Sequence, residues 1–575
     1  MLDTVAELAG RQDGEGASEP AVAGRLASVA LERPRRAEFG DYSTNAALLL
    51  APEAGYPPRE LAERLGEALA ARLGASLDRY EVAGPGFLNL FLADSWLVEA
   101  LAEVIAAGAG FGAEGAEQPE YILIEFVSAN PTGPMHVGHA RNAAYGDSLG
   151  RMLAFHGHRV AREFYVNDAG SQVRKLGESI AALARGDPVP EDGYHGDYVE
   201  ALTGLAQDER DPDRLGRLAV AELLQKMEGS LGAFRVLEFD HWAYESALQE
   251  GEPSPLEHTL ARLAEQGRTY TSEGALWLRT SEFGDDKDRV LVRSSGEHTY
   301  FASDIAYHQD KRERGFQRQI DVWGADHHGY VARMKAAYEA LGGDPQHLEM
   351  LIMQLVHLVR RGERAQMSKR AGEFVTLDDL VAEIGVDAAR WFLLSRSHDT
   401  TIDLDLDLAR EQSSDNPVYY VQYAHARISS VLAKAGAERV AGALAQVGGG
   451  APAGGSGAPA GGAGAAPAME MGAAAASELG AAPAEPLHAS ERDLIKKLLA
   501  FPEEIEEAAR RRAPHRIAAY ALELAQEFTA FYRDCHVLDV QPPALQSLRL
   551  ALCVAAQRAI ARSLELLGVT APQEM

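Results

Sequence analysis

Residues 121–166 read YILIEFVSANPTGPMHVGHARNAAYGDSLGRMLAFHGHRVAREFYV, and this stretch decides the fold. Its first seven residues, Tyr121 to Val127, are an apolar run broken by one acid, Glu125, as suits a buried strand of a parallel sheet. The loop SANPTGPM follows. From about His136 to His156 the apolar residues Tyr145, Leu149, Met152 and Leu153 fall at helical spacing, and Gly157 is placed to end the helix. Arg159 to Val166 is apolar-rich again and predicts a second strand. Strand, loop, helix and strand make a βαβ unit, which implies a parallel sheet of the Rossmann type.

The same stretch carries chemistry. His136 and His139 sit three apart where the helix begins, directly after a strand. The first turn of a helix has unpaired N–H groups and a partial positive charge that favour phosphate oxygens. Two imidazoles there suit a phosphoryl group whose charge grows during displacement. Gly138 between them leaves room for a base to approach the backbone. The bland alternative is a pair of surface or core histidines at helical spacing. A metal site would need a third ligand at the usual spacing, and the sequence shows none.

Working outward, residues 1–113 read as a small α+β unit, with a helix over Arg59 to Leu73 and strands over Tyr80 to Val82 and Phe87 to Leu92. Residues 114–400 hold the Rossmann core, interrupted by a mixed insertion over about 169–319. Strand-like segments return at Ile320 to Trp323 and at Met350 to Leu358. From 401 to 575 the pattern is mainly helical. Asp403, Asp405 and Asp407 alternate with Leu404, Leu406 and Leu408, which reads as a solvated strand edge. Residues 448–485 are almost all Gly, Ala and Pro, a composition that predicts a flexible loop between helices.

The whole chain of 575 residues is too long for one core and suits two to four domains. No apolar run reaches membrane-spanning length, and the N-terminal residues lack the basic flank and apolar core of a signal peptide. Only two cysteines occur, with no CxxC or Cys/His ligand set, so no structural metal is expected. A cytoplasmic protein with no membrane partner is the expectation. The net charge of −30 argues on its face against a polyanionic partner. Local strips such as Arg360, Arg361, Arg364, Lys369 and Arg370 can nevertheless bind one.

The motif HVGH resembles the "HIGH" element of the class I aminoacyl-tRNA synthetases, and EFVSANPTGPM resembles the version found in arginyl-tRNA synthetases. Gln366, Met367, Ser368, Lys369 and Arg370 are similar to the second class I element, KMSKS, with its first lysine and last serine replaced. The flanks resemble the same family: EFGDYSTNAALLLA and AGPGFLNLFL near the N-terminus, DNPVYYVQYAHARISS and LLGVTAPQEM in the helical tail. The resemblance implies an α/β Rossmann-type catalytic core, an added N-terminal α+β domain and an all-α anticodon-binding domain.

It also implies roles. His136, His139 and Lys369 would be catalytic. ATP with Mg2+ would meet His136, Gly138, His139, Asp326, His327, Met367, Ser368 and Lys369. L-Arginine would meet Glu125, Ser128, Asn130, Tyr300, Asp304 and His328. The partner would be a cognate arginine tRNA whose D-loop corner touches Phe87 and Asn89, and the family expectation is a monomer. Charge supports the choice of amino acid, because a guanidinium needs carboxylates and other acceptors around it. Tyr300 and Asp304 lie one helical turn apart and can face one site. Taken alone, Glu125 reads as an acid at a solvated strand end and Asp304 as a helix cap. The competing function is a non-catalytic tRNA-binding paralogue, for which the altered KMSKS-like segment leaves room.

Overall fold

The computed structural model describes residues 29–34, 36–364, 375–449 and 486–575. The chain forms two compact units. One draws on residues up to 111 with 427–500 and 526–559; the other on 112–426, 501–525 and 560–575.

The first unit opens with strands β1 (Leu31–Glu32), β2 (Tyr42–Thr44), β3 (Leu77–Ala83) and β4 (Phe87–Leu92), an antiparallel sheet in the order β1-β2-β4-β3. Helices α1 (Ala46–Ala54) and α2 (Pro58–Leu73) pack on it through Leu50, Leu61, Leu65 and Leu69, which meet Leu88, Leu90 and Leu92 of β4. Pro58 starts α2 at a position where its missing N–H costs nothing. Helix α3 (Asp94–Ala107) follows.

The second unit is built on a five-stranded parallel sheet in the order β12-β11-β5-β6-β7. Its strands are β5 (Tyr121–Glu125), β6 (Arg159–Val166), β7 (His241–Tyr244), β11 (Arg318–Gly324) and β12 (Leu348–Met353). Helix α4 (Val137–His156) joins β5 to β6 as the sequence predicts, with His136 as its N-cap and Gly157 left-handed (φ 110°) at its end. The chain steps from β5 to β6 on one side and later to β11 on the other. A switch point therefore lies at the C-terminal ends of β5 and β11, where open α/β sheets collect ligands.

The insertion after β6 contributes helices α5 (Ser171–Arg185) and α6 (Pro212–Ala233) and a small antiparallel sheet, β8 (Thr269–Ser272), β9 (Ala275–Leu278) and β10 (Arg289–Val292). The two helices cross with their backbones touching. A Cβ on Gly177 would come within 1.9 Å of the Pro212 carbonyl, and one on Gly216 within 2.2 Å of the Val173 carbonyl. Helix α7 (Tyr300–Glu313) then covers the sheet.

The single strand expected over Met350 to Leu358 is two strands in two sheets. β12 ends at Met353, and β13 (Val356–Arg360) pairs with β14 (Glu363–Arg364) and β15 (Ile402–Asp405). The break has a polar cause: the Gln354 N–H donates to His398 O (2.8 Å), and Gln354 O accepts from the buried Arg141 guanidinium (2.7 Å). In β15, Ile402 and Leu404 are buried while Asp403 is exposed and pairs with Arg364 (2.9 Å), but the expected strand edge stops at Asp405, which caps a short helix (Leu406–Arg410) that holds Asp407 and Leu408. The tail is helical: α8 (Pro417–Ala435), α9 (Ala437–Gly448), α10 (Ala489–Leu499) and the helices Phe501–Arg510, His515–Asp534 and Pro543–Leu566. Residues 450–485, most of the Gly/Ala-rich segment, lie outside the described residues. Among the described residues, no helix is long and apolar enough to cross a membrane.

Candidate active site

At the N-terminus of α4, the His136 Nδ1 accepts from the Gly138 N–H (3.0 Å), and His139 Nδ1 accepts from the His136 N–H (3.3 Å). The two imidazoles stack with centroids 3.8 Å apart. The first-turn N–H groups are thus partly satisfied by the histidines themselves. A Cβ on Gly138 would come within 2.8 Å of the His136 ring, so a larger residue there would force that ring to shift. Met367, Ser368 and Lys369 lie outside the described residues. The chain re-enters the description at Val375 and runs beside the start of α4: Val137 N–H donates to Val375 O (3.3 Å) and Leu377 N–H to Met135 O (2.8 Å). Val375 and Leu377 thus sit beside the start of α4.

Glu125 ends β5, and it is buried rather than solvated, at 5% exposure. Parallel register sets it abreast of Asp321 in β11 and Glu163 in β6, so three buried carboxylates stand in a row across the sheet. Like charges so placed destabilise a sheet unless cations answer them. They come from α7 and the turn after it. The Lys311 Nζ, wholly buried, donates to Glu125 (2.6 Å) and Asp321 (2.9 Å). Arg314 forks onto Glu163 (2.6 and 3.0 Å), and His308 meets Asp321 (2.7 Å). Burial pulls the Lys311 ammonium down, but Asp321 and Glu125 outweigh it and hold it above the ordinary range. Burial pushes the Glu125 carboxyl up against the pull of Lys311. Asp321 stays low, because Lys311 and His308 overcome its own burial.

The remaining oxygen of Glu125 accepts from Ser128 Oγ (2.8 Å), and Ser128 Oγ accepts in turn from Tyr165 N–H (3.1 Å). Asn130 is exposed and reaches Gln172 (3.2 Å). Asp304 lies within α7, whose cap is Thr299, so the cap reading of Asp304 is replaced. Its carboxylate accepts from Tyr330 OH (2.6 Å), and burial raises its pKa against that bond and against the charges of His308 and His327. Tyr300, one turn earlier, is 63% exposed. Asp326, His327 and His328 occupy an exposed turn just past β11, with Asp326 and His327 3.5 Å apart.

Two acids that the sequence reading passed over complete this edge of the sheet. Asp168 lies just past β6, its carboxylate held by Ser246 through N–H (3.0 Å) and Oγ (2.7 Å). Glu245 directly follows β7 and is 7% exposed; among the described residues no cation pairs with it. Burial, then the charges of Asp304 and Asp168, push its carboxyl up to about 7. The Tyr165 phenol is likewise raised by burial and by Glu245, Asp304, Glu125 and Asp168. These carboxylates therefore share one low-dielectric space at the C-terminal ends of β5, β6 and β7. An acid within two residues of a parallel strand's C-terminal end was the signal that would have found Asp168 and Glu245. Among the described residues, no group of three or more His, Cys, Asp or Glu is arranged to hold a metal ion.

In the first unit, Phe87 opens β4 and is 42% exposed. Asn89, expected beside it as a reader of bases, is buried at 3%, and its amide oxygen accepts from Ser43 Oγ (2.8 Å) across the sheet. Strand alternation faces the two residues alike, but Asn89 lies deeper, where β2 and β3 cover it on both sides.

Comparison with known proteins shows the family of the chain. Residues 16–92 match the arginyl tRNA synthetase N terminal domain, 101–189 and 239–428 the catalytic domain of class I (R) tRNA synthetases, and 468–575 the DALR anticodon binding domain. The chain is 43% identical over 566 residues to an arginine–tRNA ligase of Geobacillus thermodenitrificans, covering 96% of this chain and 95% of that one. It is 42% identical over 567 residues to one from Bacillus velezensis, covering 96% and 95%. In fold it is similar to the Thermus thermophilus arginyl-tRNA synthetase, with a TM-score of 0.71 at 24% identity over 97% of this chain and 99% of the other.

Proposed function

From the premise that this chain belongs to the arginyl-tRNA synthetase family of class I enzymes, we propose how its site performs the family's reaction. The protein is an arginine–tRNA ligase, with ATP, arginine and tRNA as its partners. In the first step the arginine carboxylate attacks the α-phosphorus of ATP, carried as its Mg2+ complex; arginyl-adenylate forms and pyrophosphate leaves. In the second step the terminal adenosine hydroxyl of tRNA attacks the arginyl carbonyl and AMP leaves. Neither step uses a protein nucleophile, so positioning and electrostatics supply the acceleration.

The single observation that carries the assignment of the arginine pocket is the buried acid Glu245, which has no paired cation among the described residues and feels the charges of Asp304 and Asp168 near the C-terminal ends of β6 and β7. A guanidinium neutralises such a cluster, and a neutral analogue would leave buried charge unanswered. Ser128 and Asn130 line the approach, Tyr300 and His328 close it, and Glu125 acts through Ser128, since both of its oxygens are engaged. His136, Gly138 and His139 receive the ATP phosphates at the start of α4, with Asp326 and His327 at the ribose side. Lys369, with Met367 and Ser368, stabilises the leaving pyrophosphate.

Residues 1–113 serve as the domain that grips the tRNA corner, with the exposed Phe87 as its stacking residue and Asn89 as its internal support. Residues 114–400 carry out the chemistry, and 401–575 meet the anticodon. The protein acts as a monomer in the cytoplasm, where the buried thiols Cys535 and Cys553 stay reduced. ATP–pyrophosphate exchange with arginine, with and without tRNA, tests this reading, with lysine and glutamate as controls. Exchange is expected with arginine and tRNA together, and Lys369→Ala should cut it by about 10²-fold while tRNA affinity holds. Tight tRNA binding with no exchange under any condition would make the protein a non-catalytic tRNA binder.

A further inference from the structure

The backbone turns sharply where β5 leaves the sheet. Val127 has φ 67° and Ser128 φ 38°, and the Ser128 N–H donates to Phe126 O (3.0 Å). A hydrogen bond from i+2 to i around a positive-φ residue is the rarer, strained form of the γ-turn. A β-branched residue at positive φ is a genuine outlier, and such strain persists only where the surroundings over-determine it.

One side chain supplies that constraint. Asn142, on α4 and 7% exposed, accepts from the Val127 N–H through Oδ1 (2.6 Å) and donates through Nδ2 to Val322 O of β11 (2.7 Å). Asn142 is one turn beyond His139 on the same helix. We propose that Asn142 is a positioning residue for arginine: it clamps the strained Val127–Ser128 turn between the histidine-bearing helix and β11. The turn folds Ser128 back over Glu125 and under the Tyr165 N–H, which sets the mouth of the amino-acid pocket. The neighbouring Arg141 is spent elsewhere, on the carbonyls of Gln354, Ser397 and Thr400. The inference rests on the reading of Glu125, Ser128 and Asn130 as the arginine side of the site.

The test is steady-state aminoacylation by the full-length protein, with KM measured separately for arginine and ATP. Asn142→Ala should raise the arginine KM about tenfold or more, the scale of a sub-ångström misplacement, and leave the ATP KM within about threefold. Val127→Gly accepts positive φ without steric cost, so in that background Asn142→Ala should change the arginine KM by less than about threefold. Equal losses in both backgrounds, or arginine and ATP KM rising together, overturn the clamp. If the alanine variant folds poorly, Asn142→Leu carries the same test, because it fills the same volume and removes both hydrogen bonds of the clamp. An arginine KM raised about tenfold with the ATP KM within about threefold is expected there, and an unchanged arginine KM overturns the clamp. Glu125→Gln, measured alongside, separates the two ideas. An unchanged arginine KM in that variant overturns the pocket reading and the clamp's role with it. A raised one beside a wild-type Asn142→Ala overturns the clamp alone.

Discussion

Glu245 is a single carboxyl whose environment makes the arginine site sensitive to pH. Its pKa, raised to about 7 by burial and by Asp304 and Asp168, lies above the ordinary 4.5. The free folded protein therefore retains a proton that the unfolded chain releases, so Glu245 lowers folding stability as pH rises from about 4.5 to 7. An incoming guanidinium favours the ionised form, which reverses the sign for binding. The arginine KM is expected to fall as pH rises from about 6 to about 8, and Glu245→Gln should raise the KM and flatten that profile. A pH profile unchanged by the substitution would remove Glu245 from the pocket. At this scale, the helix start that carries His136 and His139 was legible in the sequence, because it follows from neighbours in the chain. Glu245 was not, since its two flanking tyrosine and serine residues say nothing of Asp304 and Asp168 across the sheet.

Elements were read more completely than residues. Strands β4 and β6 and helix α4 fall where apolar period and glycine stops predict them. The break between β12 and β13 did not show, because both halves are apolar and only Arg141 and His398 divide them. Helix α7 hides its purpose in the same way. Its Lys311, and Arg314 just past its end, look like solvated charges in sequence, yet they answer the carboxylate row of β11, β5 and β6. Removing one partner of such a buried set costs about 3–5 kcal/mol. Lys311→Met should lower the denaturation midpoint accordingly, and adding Glu125→Gln and Asp321→Asn should recover part of the loss. No recovery in the triple variant would mean that Lys311 matters for packing instead of charge.

In the whole molecule, the first unit is assembled from segments far apart in sequence. Arg492 of α10 meets Asp94 at the start of α3 and Asp41 (3.0 Å), and donates to Leu92 O of β4 (3.1 Å). Arg33 reaches the carbonyls of Lys496 (3.0 Å) and Leu499 (3.2 Å). The N-terminal sheet and the tail helices of this unit are thereby held as one body, on which Phe87 is presented. Arg492→Ala should destabilise the unit by about 1–2 kcal/mol, since Asp94 and the Leu92 carbonyl lose their donor while Asp41 keeps Lys496 (3.3 Å). The KM for tRNA should rise while the arginine KM stays constant. A change in the arginine KM of the same size would place the effect in the catalytic core instead.

By itself the sequence determined the βαβ core, the helix start bearing His136 and His139, the strand-edge acids at Asp403, and the family to which these motifs point. Each depends on residues within a turn or a strand of one another, so the periods of 3.6 and 2 and the glycine stops record them directly. Only the tertiary structure decided that Glu125, Asp321 and Glu163 stand abreast, that Lys311 answers Glu125 from 186 residues away, and that burial raises Glu245 beside Asp304 and Asp168. Parallel register and burial set those relations. A carboxylate's charge, partner and proton depend on what other strands and helices bring to it, and no local pattern carries that information.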